Sequence, residues 1–257
     1  MSLTKKIGLL ICAGMMMSSV AVVQAGGTKS NWSGNIGVYS QYILRGITNA
    51  PEDSSVALQG SIDWSQGDNG FYAGVWGSSL GYSESSLPLT SKPAASRRTS
   101  DGFEFDAYAG YKGKIGSLSW SLGFIQYLYA NLDDFNGLEA TGSIGFGPFT
   151  FGFQTLTNDI FWGNAGDTYW TLSYGTKLPR KWELNVKLGY YTYEETGKFD
   201  TTLGDKDGFR HLDVTLSHPI GNTGAKVHFT GILGGEDRNG VDQDNAFVVG
   251  ISYDFDL

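Results

Sequence analysis

The side chains of this chain that could do chemistry recur at even spacings. Glu104 and Asp106, Glu183 and Lys187, His211 and Asp213, Lys226 and His228, and Asp254 and Asp256 are pairs of this kind. In an extended chain such spacing puts both members on one face. With Arg45, Asp63 and Glu139 they form a set of eight carboxylates, three permanent cations and two imidazoles. Charges confined to one face can line a passage, pair across an interior, or supply acid–base catalysis. The catalytic option is the poorest. A hydrolase needs a nucleophile, a histidine and a third group within hydrogen-bond reach, and only His211, His218 and His228 are available. His218 precedes Pro219 in a tight turn, His211 and His228 fall several residues apart in register, and no nucleophile motif accompanies them. A metal held by the two lumenal histidines and Asp213 would rest on residue type without geometry. The chain is therefore read as a non-enzyme with no catalytic, cofactor or metal residues.

The elements that position these residues are short strands. Phe247, Val249, Ile251, Tyr253, Phe255 and Leu257 alternate with Val248, Gly250, Ser252, Asp254 and Asp256, the period of two that marks a strand with two unlike faces. Trp32, Gly34, Ile36 and Val38 begin the same pattern near the other end. About twelve strands follow: 32–45, 55–64, 71–78, 103–111, 118–129, 137–146, 149–156, 168–177, 182–193, 209–217, 225–233 and 245–257. Most approach the roughly 9–11 residues with which a tilted strand crosses a bilayer. All 6 prolines fall between them, where a missing N–H breaks no ladder. Composition agrees: 17% charged, against roughly 25% in soluble domains, with 14% aromatic residues and 37 glycines in 257 residues.

Connections alternate along the chain. Those at 46–54, 79–102, 130–136, 157–167, 194–208 and 234–244 are mostly long and polar; those at 65–70, 112–117, 147–148, 178–181 and 218–224 are tight and rich in Gly or Pro. Short turns at one end, longer loops at the other and an even strand count describe a single-chain transmembrane antiparallel β-barrel with periplasmic turns and extracellular loops. A soluble β-sandwich would share the periodicity. The aromatic residues favour the barrel, because Trp32, Trp64, Trp120 and Trp182 all lie on the apolar face near a short-turn end, the level of a membrane interface.

Residues 1–25 read as a cleaved signal peptide, with Lys5 and Lys6, an apolar run from Ile7 to Val23, and a small-residue site ending at Ala25. The single cysteine, Cys12, leaves with it, which excludes a disulfide framework or a Cys-metal site in residues 26–257. The mature barrel then carries 16 Lys and Arg against 26 Asp and Glu. This acidic balance argues against nucleic acid as a partner.

The stretch Ser40-Gln41-Tyr42-Ile43-Leu44-Arg45-Gly46-Ile47-Thr48 resembles an S-x-Y-x-x-R-G-x-S/T motif of the TorF family of porins. Residues 70–78 resemble that family's G-x-Y-x-G-x-W-x-S segment, and residues 104–111 its acidic Y-x-G-Y strand. Beyond residue 112 only the strand pattern supports the likeness. The resemblance implies an outer-membrane pore of unassigned substrate and supplies no catalytic residues.

The register places Arg45, Asp63, Glu104, Asp106, Glu139, Glu183, Lys187, His211, Asp213, Lys226, His228, Asp254 and Asp256 in the interior. The opposite register would put Lys187 in lipid, at roughly 2–4 kcal/mol for a midplane lysine. About twelve strands should leave a narrow, constricted lumen. Its acidic excess would favour cations or neutral polar solutes, although the same charges could simply pair across the interior. Arg45 is the sharpest candidate, a guanidinium at the long-loop end able to clamp Asp63 or Glu104 and pin a constriction. Tyr39, Tyr108, Tyr191 and Tyr193 could line a slide for sugars or serve as packing. The expected function is a porin for small polar solutes or ions in the outer membrane. Its partners would be lipid, lipopolysaccharide and the barrel-assembly machinery, the last reading the apolar face that ends in Tyr253, Phe255 and Leu257. The alternatives are a surface-binding, adhesin-like or plugged structural barrel, for which the 79–102 loop with Lys92, Arg97 and Arg98 is the candidate contact, and, more remotely, a hydrolase.

Overall fold

The structure, a computed structural model, describes residues 31–86, 99–132, 135–199 and 204–257. The expected signal peptide and the basic residues Lys92, Arg97 and Arg98 lie outside the described residues. Twelve antiparallel strands close into one barrel: β1 (Trp32–Tyr39), β2 (Ala57–Ser65), β3 (Gly70–Ser83), β4 (Asp101–Ile115), β5 (Leu118–Ala130), β6 (Gly137–Phe146), β7 (Phe149–Leu156), β8 (Thr168–Lys177), β9 (Glu183–Thr192), β10 (Asp207–Pro219), β11 (Ala225–Gly234) and β12 (Ala246–Asp256). Each strand pairs with its sequence neighbours, and β1 pairs with β12 from Ser33↔Asp256 to Tyr39↔Gly250. Closure leaves no unpaired strand edge, as a bilayer interior requires.

The polarity of a soluble protein is inverted. Ile36, Phe124 and Phe247 are 51%, 56% and 63% exposed on the outside, whereas Glu104, Glu139 and His211 are fully buried inside. Apolar side chains line the exterior of every strand, a surface that water would not tolerate and lipid requires. Trp32 lies opposite Trp64 in the β1–β2 register, Trp120 stacks on Tyr111 at 5.9 Å, and Trp182 packs on His218 at 4.7 Å. With Phe71 and Phe149 they gather near the tight-turn rim, where β6 and β7 are joined by Gly147 and Pro148 alone.

Most strand ends shift by one to a few residues, and three features depart further from the sequence reading. The β3–β4 hairpin is longer, pairing as far as Ser83↔Asp101 beyond an irregularity after Ser79. β10 carries a bulge between Phe209 and His211. The largest difference is in β1, expected to run to residue 45 but ending at Tyr39. The alternating pattern continues to Arg45, yet the backbone leaves the wall and turns into the barrel.

Candidate functional site: a lumenal plug built on Arg45

Residues 40–56 form an inward loop. Ser40 stays on the wall, its N–H donating to the Val249 carbonyl at 2.8 Å. Tyr42 and Asp53 then close a neck with two backbone hydrogen bonds of 2.8 and 3.2 Å. At the tip the Ile47 N–H donates to the Leu44 carbonyl at 3.0 Å, and Arg45 and Gly46 take left-handed backbone conformations, φ +46° and +73°. Gly46 is required twice over: its φ disfavours any Cβ, and a Cβ there would come within 2.5 Å of His211 Cβ.

The turn aims the Arg45 side chain across the lumen. Its Nη1 and Nη2 donate to Glu139 Oε1 and Oε2 at 2.9 and 2.7 Å, a bidentate fork. Nη1 also reaches the Tyr191 hydroxyl at 2.6 Å, and Nη2 reaches Tyr127 at 3.1 Å and Gln154 Oε1 at 3.3 Å. The guanidinium carbon lies 4.7 Å from the centre of the Tyr169 ring. One side chain from the β1–β2 loop therefore touches β5, β6, β7, β8 and β9. Burial opposes its charge, but the Glu139 carboxylate, with Tyr191 and Tyr127, outweighs burial and holds the guanidinium well above its ordinary pKa. The partner is thus Glu139, not Asp63 or Glu104. Asp63 accepts hydrogen bonds from Tyr108 and, at 2.8 Å, from Ser61; Glu104 accepts from Tyr129 at 3.0 Å. A strand-borne Arg45 would have met its near neighbours, whereas one on an inward loop meets the opposite wall.

The plug is anchored from behind. Arg210 Nε donates to the Arg45 carbonyl at 2.9 Å and its Nη1 to the Glu236 carbonyl at 2.8 Å. Gln243 Oε1 accepts from the Thr48 N–H at 3.0 Å, and Thr48 Oγ1 donates to the Asp244 carbonyl at 2.6 Å. Above this level Arg238 donates to Asp167 Oδ2 at 2.5 Å and to the Glu194 carbonyl. The other oxygen of Asp167 accepts the Glu194 N–H at 2.7 Å, so three long loops are drawn together over the lumen. Period-two reasoning misses Arg210 because the β10 bulge turns two successive side chains, Arg210 and His211, inward.

Among the other predicted residues, Lys187, His211 and His228 are buried, whereas Asp254 and Asp256 are exposed near the end of β12. Lys226 and Glu183 pair at 3.4 Å across the intervening β10. Lys187 lies opposite Asp213. His211 bridges Asp213 Oδ1 at 2.7 Å and the Tyr169 hydroxyl at 2.6 Å. His228 lies between Ser217 and Ser252, 2.8 Å from each hydroxyl. Asp254 accepts from Asn35 at 2.5 Å near the tight-turn rim. The two lumenal histidines therefore belong to separate networks, and among the described residues no three His, Cys, Asp or Glu side chains converge as a metal site would require. Structure adds buried Lys112, Arg210 and Arg238, and equally buried Asp53, Glu84 and Asp167, so that among the described residues six buried carboxylates stand against five buried cations. The four lumenal tyrosines do not form one track: Tyr191 stacks on Tyr193 at 4.9 Å, while Tyr108 is bound to Asp63 and Tyr39 packs beside His228 at 6.2 Å.

Beside Arg45 lies a cavity of about 10 Å³, lined by Tyr42, Trp76, Glu104, Asp106, Tyr127 and Gln154 among others. It has room for about one water molecule.

Among solved structures, the KdgM porin aligns with a TM-score of 0.52 at 10% identity, covering 86% of this chain and 98% of that one. The COG4313 outer membrane channel from Pseudomonas putida F1 aligns at 0.49 and 10% identity, covering 91% and 100%. The outer membrane phospholipase A of Escherichia coli aligns at 0.46 and 13%, covering 86% and 92%. At these identities the likeness to KdgM speaks to fold alone. No curated protein sequence matches the chain. Residues 24–255 match the family described as "Bacterial protein of unknown function (Gcw_chp)", and the chain belongs to that family.

Proposed function

We propose that this protein is an outer-membrane channel for small polar solutes or ions, cation-preferring, whose path is constricted by the 40–56 loop. The observation that carries the reading is the pairing of a lipid-facing exterior with a charged interior crossed by a single arginine. Neither a soluble binding protein nor a simple structural wall needs both. The tight turns would face the periplasm and the long loops the cell exterior, in a membrane of lipid and lipopolysaccharide, with the β12 face as the signal for barrel assembly. The likeness of residues 40–48, 70–78 and 104–111 to TorF porins supports the same reading, and the acidic excess of the interior supports cation preference. No enzymatic role is assigned: His228 and its two serines lie buried on the lumenal face, remote from lipid. Liposome swelling with sugars and amino acids of increasing size tests the reading, with flux falling steeply above a small size limit as the expected result.

A second reading is a plugged structural barrel, favoured by the loop itself, because the contacts of Arg45 tie it across the lumen to five strands. Swelling separates the two: no flux of any solute, in wild type and in a variant lacking the Arg45 side chain, selects the plugged barrel.

A further inference from the structure

The buried charges around the plug are unevenly matched. Arg45 is held bidentately by Glu139. Glu104 and Asp106, on the same face of β4 and about 7 Å apart along the strand, are fully buried and 2% exposed. Glu104 Oε2 and Asp106 Oδ1 make no hydrogen bond at all. Both side chains line the cavity beside Arg45, with Trp76 and Tyr42 as aromatic walls and Gln154 at its edge. A buried carboxylate without a counter-charge either takes up a proton or holds a cation, and two of them aimed into one cavity make a place for a positive occupant. The cavity's size sets the class. With room for about one water, it excludes organic amines larger than ammonium. It also leaves no room for the waters that a strongly hydrated divalent ion such as magnesium keeps. A weakly hydrated monovalent ion fits best, since it gives up its water at least cost and gains from a ring face.

We propose that the cavity formed by Glu104, Asp106, Tyr42 and Trp76 is a binding site for one monovalent cation of potassium or ammonium size. It is the point at which a cation crossing the barrel sheds water beside the plug. The inference rests on the channel reading for the ion's route, but the binding itself needs no flux.

The test is equilibrium dialysis of the full chain, folded in detergent, against radiolabelled rubidium at constant ionic strength set by choline. Saturable uptake of about one ion per barrel, displaced by potassium and ammonium, is expected. Affinity should fall at least tenfold in Glu104→Gln and in Asp106→Asn and stay unchanged in Asp254→Asn, whose carboxylate lies near the turn rim. Unsaturable uptake, or equal uptake in the β4 variants, overturns the site. Should the variants fail to fold, wild type decides alone: replacing choline with rubidium should raise the urea midpoint of unfolding, and an unmoved midpoint overturns the proposal. A barrel that binds rubidium but is silent in bilayers refutes the channel reading and keeps the site; one that conducts without saturable binding does the reverse.

Discussion

Replacing Arg45 with methionine should cost the folded barrel about 3–5 kcal/mol, because the cut leaves Glu139 fully buried with its charge uncompensated. The geometry sets that expectation at the upper end for an ion pair. The fork is bidentate, both side chains are nearly inaccessible, and three further polar partners lose a donor at once. A screened surface pair would give 1 kcal/mol or less. Removing Glu139 along with Arg45 should restore much of the loss, since the stranded carboxylate goes too. The assay is reversible urea unfolding of barrels refolded in lipid, followed by tryptophan fluorescence and by heat-modifiable migration on gels, for Arg45→Met, Glu139→Gln and the double variant. The coupling energy should fall in the upper part of the roughly 0.5–3 kcal/mol seen for residues in one network. Additive losses, each below about 1 kcal/mol, would show that Arg45 is solvated and that the loop does not cross the lumen. Conductance adds an independent reading: freed from five strands, the loop should let more current pass.

Other consequences follow from particular contacts. Phe124→Arg, on the lipid face of β5, should destabilise the inserted barrel by roughly 2–4 kcal/mol, whereas Ser121→Lys on the lumenal face of the same strand should be tolerated; equal costs would contradict the assigned register. Glu52, in the plug loop and hydrogen-bonded by Tyr82 at 2.6 Å, has its carboxyl pushed up to about 7 by burial, with the Tyr82 bond opposing the shift. A carboxyl raised in the folded state favours folding when protonated. Loop docking should therefore be firmest near pH 5 and weaken as pH rises through 7, with Glu52→Gln abolishing the change; protease protection of residues 40–56 between pH 5 and 8 measures it. Gly46→Ala, which places a Cβ against His211 in a left-handed turn, should undock the loop and raise conductance while the barrel still assembles.

Strand arithmetic was legible because a barrel wall repeats one rule: out, in, out, in. Strands at 137–146, 149–156 and 168–177 match to the residue, and the tryptophans mark the rim because amphipathic rings have one favourable level. The plug was not legible, for the same reason. Residues 40–45 keep the alternation that a wall strand would have, and nothing local says that the chain leaves the wall after Ser40. The Arg45–Glu139 pair spans 94 residues, and only closure of the barrel, with its radius and the inward loop, brings the two together. Arg210 was hidden by a bulge that breaks the period by one residue. The motif around Arg45 signalled importance without signalling direction; the left-handed Arg45-Gly46 turn, which only glycine at the second position permits beside His211, carries the direction.

In the proposed function, ions cross this barrel past an acidic interior narrowed by the Arg45 plug. Planar-bilayer recording of the refolded wild-type protein in a potassium chloride gradient tests it most directly. Discrete, small current steps with a reversal potential displaced toward the potassium equilibrium value are expected. A silent membrane, or a reversal potential on the chloride side, would contradict it.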